Sequence, residues 1–338
     1  MLCKMEFSQS WIGDSSSLPL FQEMLSSEFV ATRVTAAQSI GGIEGQAVTD
    51  ILIGLLRDKD AQVQAAAARL LGYRNDERAV APLMKFLKSD PTYGGEKAAT
   101  SLGILGDAGV IESLKPLLES SRLDVKVHAA VSLARLNDSS GLNQMRVWIN
   151  SRDRTQRSTL YYALSGAASS SLTRPKSRIR NPEVLAFIRE QLSSHTDRSV
   201  RLYMALALQG QQDQTNIQAL KAATNDKGPG VRDNALHALF YCDKQQGRVA
   251  AIEALDDKAE NMQRKALYLL GEVANESDVD LIAAKLQSPA ESVRLVAISA
   301  LSKFPKSLVA ERLKAAESSK SSPRVRAKAR AVLSELSD

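Results

Sequence analysis

One hydrophobic pattern governs most of this chain. The stretch Val293-Arg294-Leu295-Val296-Ala297-Ile298-Ser299-Ala300-Leu301 reappears as Val231-Arg232-Asp233-Asn234-Ala235-Leu236-His237-Ala238-Leu239. It returns from Val200-Arg201 to Ala207-Leu208 and from Val325-Arg326 to Val332-Leu333. Counted from the valine, apolar side chains fall at positions 1, 5, 8, 9 and 12, one face of a helix with 3.6 residues per turn. The second motif position can be followed through Arg33, Gln64, Gly95, Lys126, Arg157, Arg201, Arg232, Gln263, Arg294 and Arg326. The intervals are 31 residues, apart from a final 32 and a single 44 that contains a 13-residue insertion.

Each period also holds a shorter apolar stripe ahead of the motif, as in Ala81-Pro82-Leu83-Met84-Lys85-Phe86-Leu87 or Asp280-Leu281-Ile282-Ala283-Ala284-Lys285-Leu286. Between stripe and motif lies a turn with acidic or small residues (Asp58-Lys59-Asp60, Asp90-Pro91, Ser288-Pro289), which is helix-capping and helix-starting chemistry. Gly or Ser is often expected to end the motif helix, as at Leu71-Gly72, Leu102-Gly103 and Leu270-Gly271. A lone helical hairpin cannot bury its own stripe, whereas stacked neighbours bury each other's. The pattern therefore predicts an all-α fold, an α-solenoid of about ten two-helix repeats over residues 19–338, with residues 1–18 as a tail outside the repeats.

The Val-Arg-x-x-Ala-Ala-x-Ala-Leu-Gly second helix, preceded by an Asp-containing turn, resembles the HEAT repeat in the short bacterial and archaeal form named after phycobilisome lyases. The resemblance implies a right-handed superhelix with the second helices lining its concave face. It also implies an Asp–Arg ladder along the turns. Most members resemble scaffolds; a minority attach bilin chromophores, hydroxylate a modified lysine or excise alkylated bases. Three departures stand out. Gly94-Gly95 replaces Val-Arg and removes a rung of the ladder; Tyr161-Tyr162 stands where small residues are expected; Pro116 falls late in a first helix, where it should kink it.

Composition narrows the classes. Apolar residues make up 44% of the 338 residues but aromatics only 5%, so the apolar weight is Ala and Leu, as in closely packed helices. No window approaches the run of about 18 apolar residues that a membrane helix needs. The N-terminal Met1-Leu2-Cys3-Lys4-Met5-Glu6-Phe7 lacks a continuous apolar signal region, and a cytoplasmic location without membrane attachment is expected. The net charge of +6 is uneven: residues 141–181 hold eight basic side chains and one acidic, and residues 303–338 nine and four.

Little of the sequence reads as catalysis, and neither a metal nor a cofactor is expected. Cys3 and Cys242 cannot form a zinc site by themselves, and His128, His195 and His237 are far apart in sequence. No His-Glu dipeptide is present, which sets the lysine-hydroxylating activity aside. Gly41-Gly42-Ile43-Glu44-Gly45 closes a helix and lacks the Lys-Ser/Thr of a phosphate loop. Cys242, at motif position 12, reads as a small core residue. The row of arginines reads as a structural ladder paired to Asp58, Asp124, Asp153, Asp197 and Asp226.

Two surfaces are candidates for binding. Motif position 7 is aromatic and apolar in the middle of the chain, where Tyr162, Leu206, His237 and Tyr268, with Tyr203 one helical turn before Leu206, are expected to line a groove for a partner's helix or peptide. The insertion at about 169–181 is expected to be an extended, dispensable loop. Its Arg174, Lys176, Arg178 and Arg180, together with Arg152 and Arg154 beside Trp148, form a basic patch facing an acidic partner. The preferred reading is a non-enzymatic scaffold that binds a protein along its concave face. A nucleic-acid-binding repeat protein is the first rival, although position 7 of the first four repeats is not continuously basic. A bilin-lyase-like protein is the second, on resemblance alone.

Overall fold

The computed structural model describes residues 15–89, 93–171, 178–318 and 322–336. All regular elements among them are helices, twenty of them α-helices, and all ten copies of the motif lie on the second helix of a pair. These motif helices are Val30–Ile40, Ala61–Arg74, Gly95–Leu105, Leu123–Arg135, Arg154–Ser171, Arg198–Ala207, Pro229–Cys242, Glu260–Val273, Glu291–Leu301 and Pro323–Glu335. Residues 15–17 form a turn of 3₁₀ helix that leads directly into the helix Leu18–Leu25, so the described end of the expected tail joins the first repeat. The chain divides into two compact blocks, Met1–Ala186 and Phe187–Asp338. Within each, a motif helix packs on the next motif helix and on its own first helix.

The buried face follows the pattern and widens it. In the seventh repeat Val231, Ala235, Ala238, Leu239 and Cys242 are buried at positions 1, 5, 8, 9 and 12, and Leu236 at position 6 joins them. Cys242 Sγ donates to Leu208 O of the preceding motif helix at 3.3 Å, so the thiol is a packing group.

The glycines do a different job from the one expected. Gly72, Gly103 and Gly271 lie inside their helices at motif position 10, and each faces position 8 of the following motif helix. A Cβ on Gly72 would sit 2.7 Å from Ser101 Cα, and one on Gly103 would sit 2.9 Å from Ser132 Cα. They permit close approach of neighbouring helices rather than ending them. The serines they face use that approach: Ser101 Oγ donates to Ala68 O at 2.7 Å and Ser132 Oγ to Ala99 O at 2.9 Å. Helix termination falls to Asn75, Gly106 and Ala274 in left-handed backbone. Gly41 does close its helix, as expected.

Two other departures are resolved. At Pro116 the short helix Ile111–Leu114 gives way to a 3₁₀ stretch, Lys115–Glu119, because the ring cannot sit inside an α-helix. Gly94 has a positive φ of 93° and would place a Cβ 2.9 Å from that of Ala65, so neither the backbone nor the space accepts a larger residue.

The arginine row is a ladder between repeats, and of the expected aspartates Asp58 and Asp226 stand on it. Arg33 donates to both carboxylate oxygens of Asp58, Arg201 to both of Asp226 and Arg232 to both of Asp257, each aspartate lying 25 residues downstream in the next turn. Each guanidinium also donates to two carbonyls of its own turn, such as His195 O and Thr196 O for Arg201. Gln64 and Gln263 keep the carbonyl bond, donating to Asp58 O and Asp257 O. Asp58, Asp226 and Asp257 have depressed carboxyl pKa values: desolvation opposes the shift, and the arginine hydrogen bonds and a backbone N–H outweigh it. Asp124, expected on the ladder, pairs with Arg122 at 2.7 Å, while Asp153 and Asp197 cap Thr155 N and Ser199 N.

Candidate functional site

Motif positions 3, 4, 7 and 11 remain after packing and the ladder have taken theirs. Positions 4, 7 and 11 are spaced by three and four residues, so they share one side of the motif helix. The sequence reading follows position 7, with Tyr203 at position 4 beside it.

In the second block this side is aromatic and apolar. Tyr203 and Leu206 lie on Arg198–Ala207, His237 and Tyr241 on Pro229–Cys242, and Lys265 and Tyr268 on Glu260–Val273. Tyr203, Leu206 and His237 are partly exposed, and Tyr268 leaves 49% of its surface open. The His237 ring leans on Tyr241 at 4.8 Å between centroids and 59° between planes. Desolvation, helped by Lys265, pushes the His237 pKa down to about 4, so the imidazole is neutral at pH 7. Lys265 Nζ lies 3.7 Å from Asp233, an ion pair within the face. The result, over these three helices, is a surface of aromatic edges with Lys265 compensated by Asp233.

In the first block the same side carries charge. Arg69 and Tyr73 from the second repeat, Lys97 and Thr100 from the third, His128 and Arg135 from the fourth and Tyr162 from the fifth line one cavity of about 230 Å³. Arg69 stands 5.9 Å above the Tyr73 ring, a cation–π contact that holds the guanidinium in place. Arg135 is 2% exposed, and burial lowers its pKa to about 10, so it remains a cation at pH 7. His128 is held below its ordinary pKa first by burial and then by Lys97 and Arg135, with the Asp124 carbonyl and Glu96 working in the opposite sense. Its Nδ1 lies 2.8 Å from Asp124 O. A carbonyl only accepts, so Nδ1 carries the proton and Nε2 is the nitrogen free to gain one.

The expected groove residues therefore fall on two different surfaces. Tyr162, 61% exposed, belongs to the basic cavity of the first block, while Tyr203, Leu206, His237 and Tyr268 belong to the second block. Sequence reading missed Lys97, His128 and Arg135 because it followed position 7, and at that position Val131 is 1% exposed. Following the face at three- and four-residue spacing would have found them.

The expected basic patch is divided. Arg152 and Arg154 are exposed at the start of Arg154–Ser171, and Arg178 and Arg180 follow its far end. Arg174 and Lys176 lie outside the described residues. The insertion is also more structured than the expected loop. Its first residues, through Ser171, continue the helix, and its last are anchored. Arg180 N and Asn181 N both donate to Ala134 O at 3.1 Å, Ile179 is buried, and Asn181 Oδ1 caps the next helix through Glu183 N and Val184 N. Trp148 is 7% exposed, a core residue of Leu142–Ile149 that presents no face for stacking on a base.

Among the described residues no group of His, Cys, Asp and Glu could hold a metal ion, and no helix is long and apolar enough to cross a membrane. Residues 52–133 match the family model for HEAT repeats. No curated protein sequence matches this chain. Among solved structures it is similar to human deoxyhypusine hydroxylase in complex with glycerol, with 17% identity, 85% of this chain and 96% of that one covered, and a TM-score of 0.38. It is similar to the complex of CpcE and CpcF of phycocyanin lyase from Nostoc sp. (18% identity, 87% and 96% covered, TM-score 0.33). An engineered protein shares 18% identity over 94% of this chain and 98% of that one, with a TM-score of 0.38. None of these likenesses transfers a function.

Proposed function

We propose that this chain is a non-enzymatic scaffold that holds a protein partner against the exposed side of its motif helices. The observation that carries the reading is the row in the second block: Tyr203, Leu206, His237 and Tyr268 reach the surface from three consecutive motif helices. Aromatic side chains presented in series on a rigid stack give large contact area at small cost in side-chain entropy, and they are frequent anchors of protein interfaces. HEAT repeats generally mediate protein binding, in line with this use. A protein suits this surface better than a nucleic acid, because Lys265 is paired with Asp233 and His237 is neutral at pH 7.

The test is affinity capture from the native organism with nuclease-treated extract, using the wild-type chain and a Tyr203→Ala/Tyr268→Ala variant. A protein retained by the wild type and lost from the variant, with the melting temperature unchanged, is the expected result. Equal retention by both chains, or loss of every bound species after nuclease treatment, would overturn the proposal.

A further inference from the structure

A groove of the first block shares no residue with either surface described above. It runs between the first helices of the second and third repeats, Gln46–Leu55 and Val80–Lys88, and encloses about 400 Å³. Ile53 and Leu56 line one wall, and Ala81, Pro82 and Phe86 the other. Each wall carries one cation: Arg57 follows the first of these helices, Lys85 lies on the second, and both are exposed. Neither makes a hydrogen bond or an ion pair among the described residues.

Other seams between consecutive first helices show what is unusual here. Arg57 stands seven residues ahead of motif position 2, a place held by Glu119 and Asp256 in two other periods. Glu119 accepts from Gln144 Nε2 at 3.3 Å and Asp256 from Lys285 Nζ at 2.6 Å, so each carboxylate is bonded across to the next repeat. Lys285 in turn occupies the place of Phe86, nine residues ahead of position 2. In this seam a cation stands for the carboxylate and an aromatic ring for the lysine, so the same bridge cannot form. What is left is an apolar floor with an unpaired positive charge on each rim.

That shape suits a helix better than a small molecule. Pockets for small ligands bury most of the ligand, whereas Arg57, Ala81 and Lys85 leave this groove open to solvent along its edge. A groove between two helices takes the apolar stripe of an amphipathic helix. Val80–Lys88 has nine residues, so roughly two and a half turns of a partner helix would cover it. Cations on both walls call for carboxylates on both flanks of the stripe. We infer that this groove is a docking site for an amphipathic helix of a partner protein, whose apolar stripe enters between the walls and whose flanking carboxylates meet Arg57 and Lys85. The site is independent of the aromatic row in the second block.

The probe is a fluorescein-labelled peptide of about fifteen residues, long enough to form a helix, with leucines at helical spacing and glutamates on both flanks. Two controls carry lysines in place of the glutamates, or the same residues in scrambled order. Fluorescence anisotropy with the full chain should show saturable binding of the acidic peptide, weakened by sodium chloride, and at least about tenfold lower affinity for both controls. An Arg57→Glu/Lys85→Glu variant changes two exposed side chains and should keep its melting temperature. It should lose at least about tenfold in affinity for the acidic peptide and gain affinity for the lysine peptide. The Tyr203→Ala/Tyr268→Ala variant should bind the acidic peptide as the wild type does. Absence of saturable binding, equal binding of the acidic and scrambled peptides, or binding insensitive to salt would overturn the inference. So would an unchanged preference in the charge-reversed variant, loss of binding in the tyrosine variant, or displacement of the peptide by equimolar decanoate.

Discussion

Replacing Gly72 by Ala pits two opposing effects against each other, and the structure decides between them. In an isolated helix the change is favourable by about 1 kcal/mol, because glycine loses more backbone freedom on folding. Here the new methyl would sit 2.7 Å from Ser101 Cα and 2.6 Å from Ser101 Cβ, and backbone on the neighbouring helix cannot swing away as the tip of a side chain can. Overpacking of this kind costs about 1–3 kcal/mol. Parting the helices also stretches the buried bond from Ser101 Oγ to Ala68 O, and leaving such a group unsatisfied costs about 1–3 kcal/mol more. The net expectation is destabilisation by about 1–5 kcal/mol. Gly54→Ala is the matched control: Gly54 lies within the helix Gln46–Leu55 with nothing within 4 Å of a new Cβ, so the same substitution should stabilise by up to about 1 kcal/mol. Urea and thermal unfolding of both variants would show opposite displacements of the midpoint. Pairing Gly72→Ala with Ser101→Gly should recover part of the loss, since the second change removes the side chain in the way. If Gly72→Ala is neutral or stabilising, position 10 does not touch the next motif helix and the packing rule drawn from Gly72, Gly103 and Gly271 fails.

Other expectations follow from the same geometry. Leu239→Ala removes a fully buried side chain and should cost about 2–5 kcal/mol, whereas His237→Ala, on the partly exposed side of the same helix, should cost far less; chemical denaturation of the two variants checks this. Asp257→Asn breaks the bidentate pair with Arg232 and should cost about 1–3 kcal/mol at pH 7. Because the folded Asp257 pKa lies below 3.8, its contribution is present above that pH and lost beneath it, so the gap between variant and wild type measured by thermal melts should close in strong acid. Asn181→Ala removes the cap on Pro182–Ser194 and should lower stability by about 1 kcal/mol in thermal melts, contrary to a dispensable insertion.

What could be read from the chain and what could not divide along a physical line. The period, the helix pairs and the buried positions 1, 5, 8, 9 and 12 were legible because each is a property of one helix and its own hairpin. The lateral contacts were not. Arg201 has Asp197 four residues upstream, an obvious partner on paper, yet its guanidinium reaches Asp226 in the next turn while Asp197 caps its own helix. Only the stacking geometry ranks these two carboxylates, and stacking is a relation between repeats separated by a whole period. Gly72 was taken for a helix end for the same reason: its partner, Ser101, is on another helix. Trp148 stands beside Arg152 and Arg154 in sequence yet is buried away from them, since sequence proximity says nothing about which way a short first helix turns its faces.

The same division explains where the chemistry sits. A residue that packs against its neighbour in every repeat must suit that neighbour each time, which is why Val, Ala and Leu recur at the period. Positions 4, 7 and 11 are largely released from that requirement, and there the two blocks part company: Arg69, Lys97, His128 and Arg135 in one, Tyr203, Leu206, His237 and Tyr268 in the other. The exceptions show the rule at work, since Val131 at position 7 is buried and reverts to the apolar type that packing demands. In a chain built by repetition, the repeated residues account for the fold, and the residues that differ from repeat to repeat on a shared face are where a ligand can be recognised. Each block accordingly offers a face with its own chemistry, cationic in the first and aromatic in the second, on helices whose cores are nearly interchangeable.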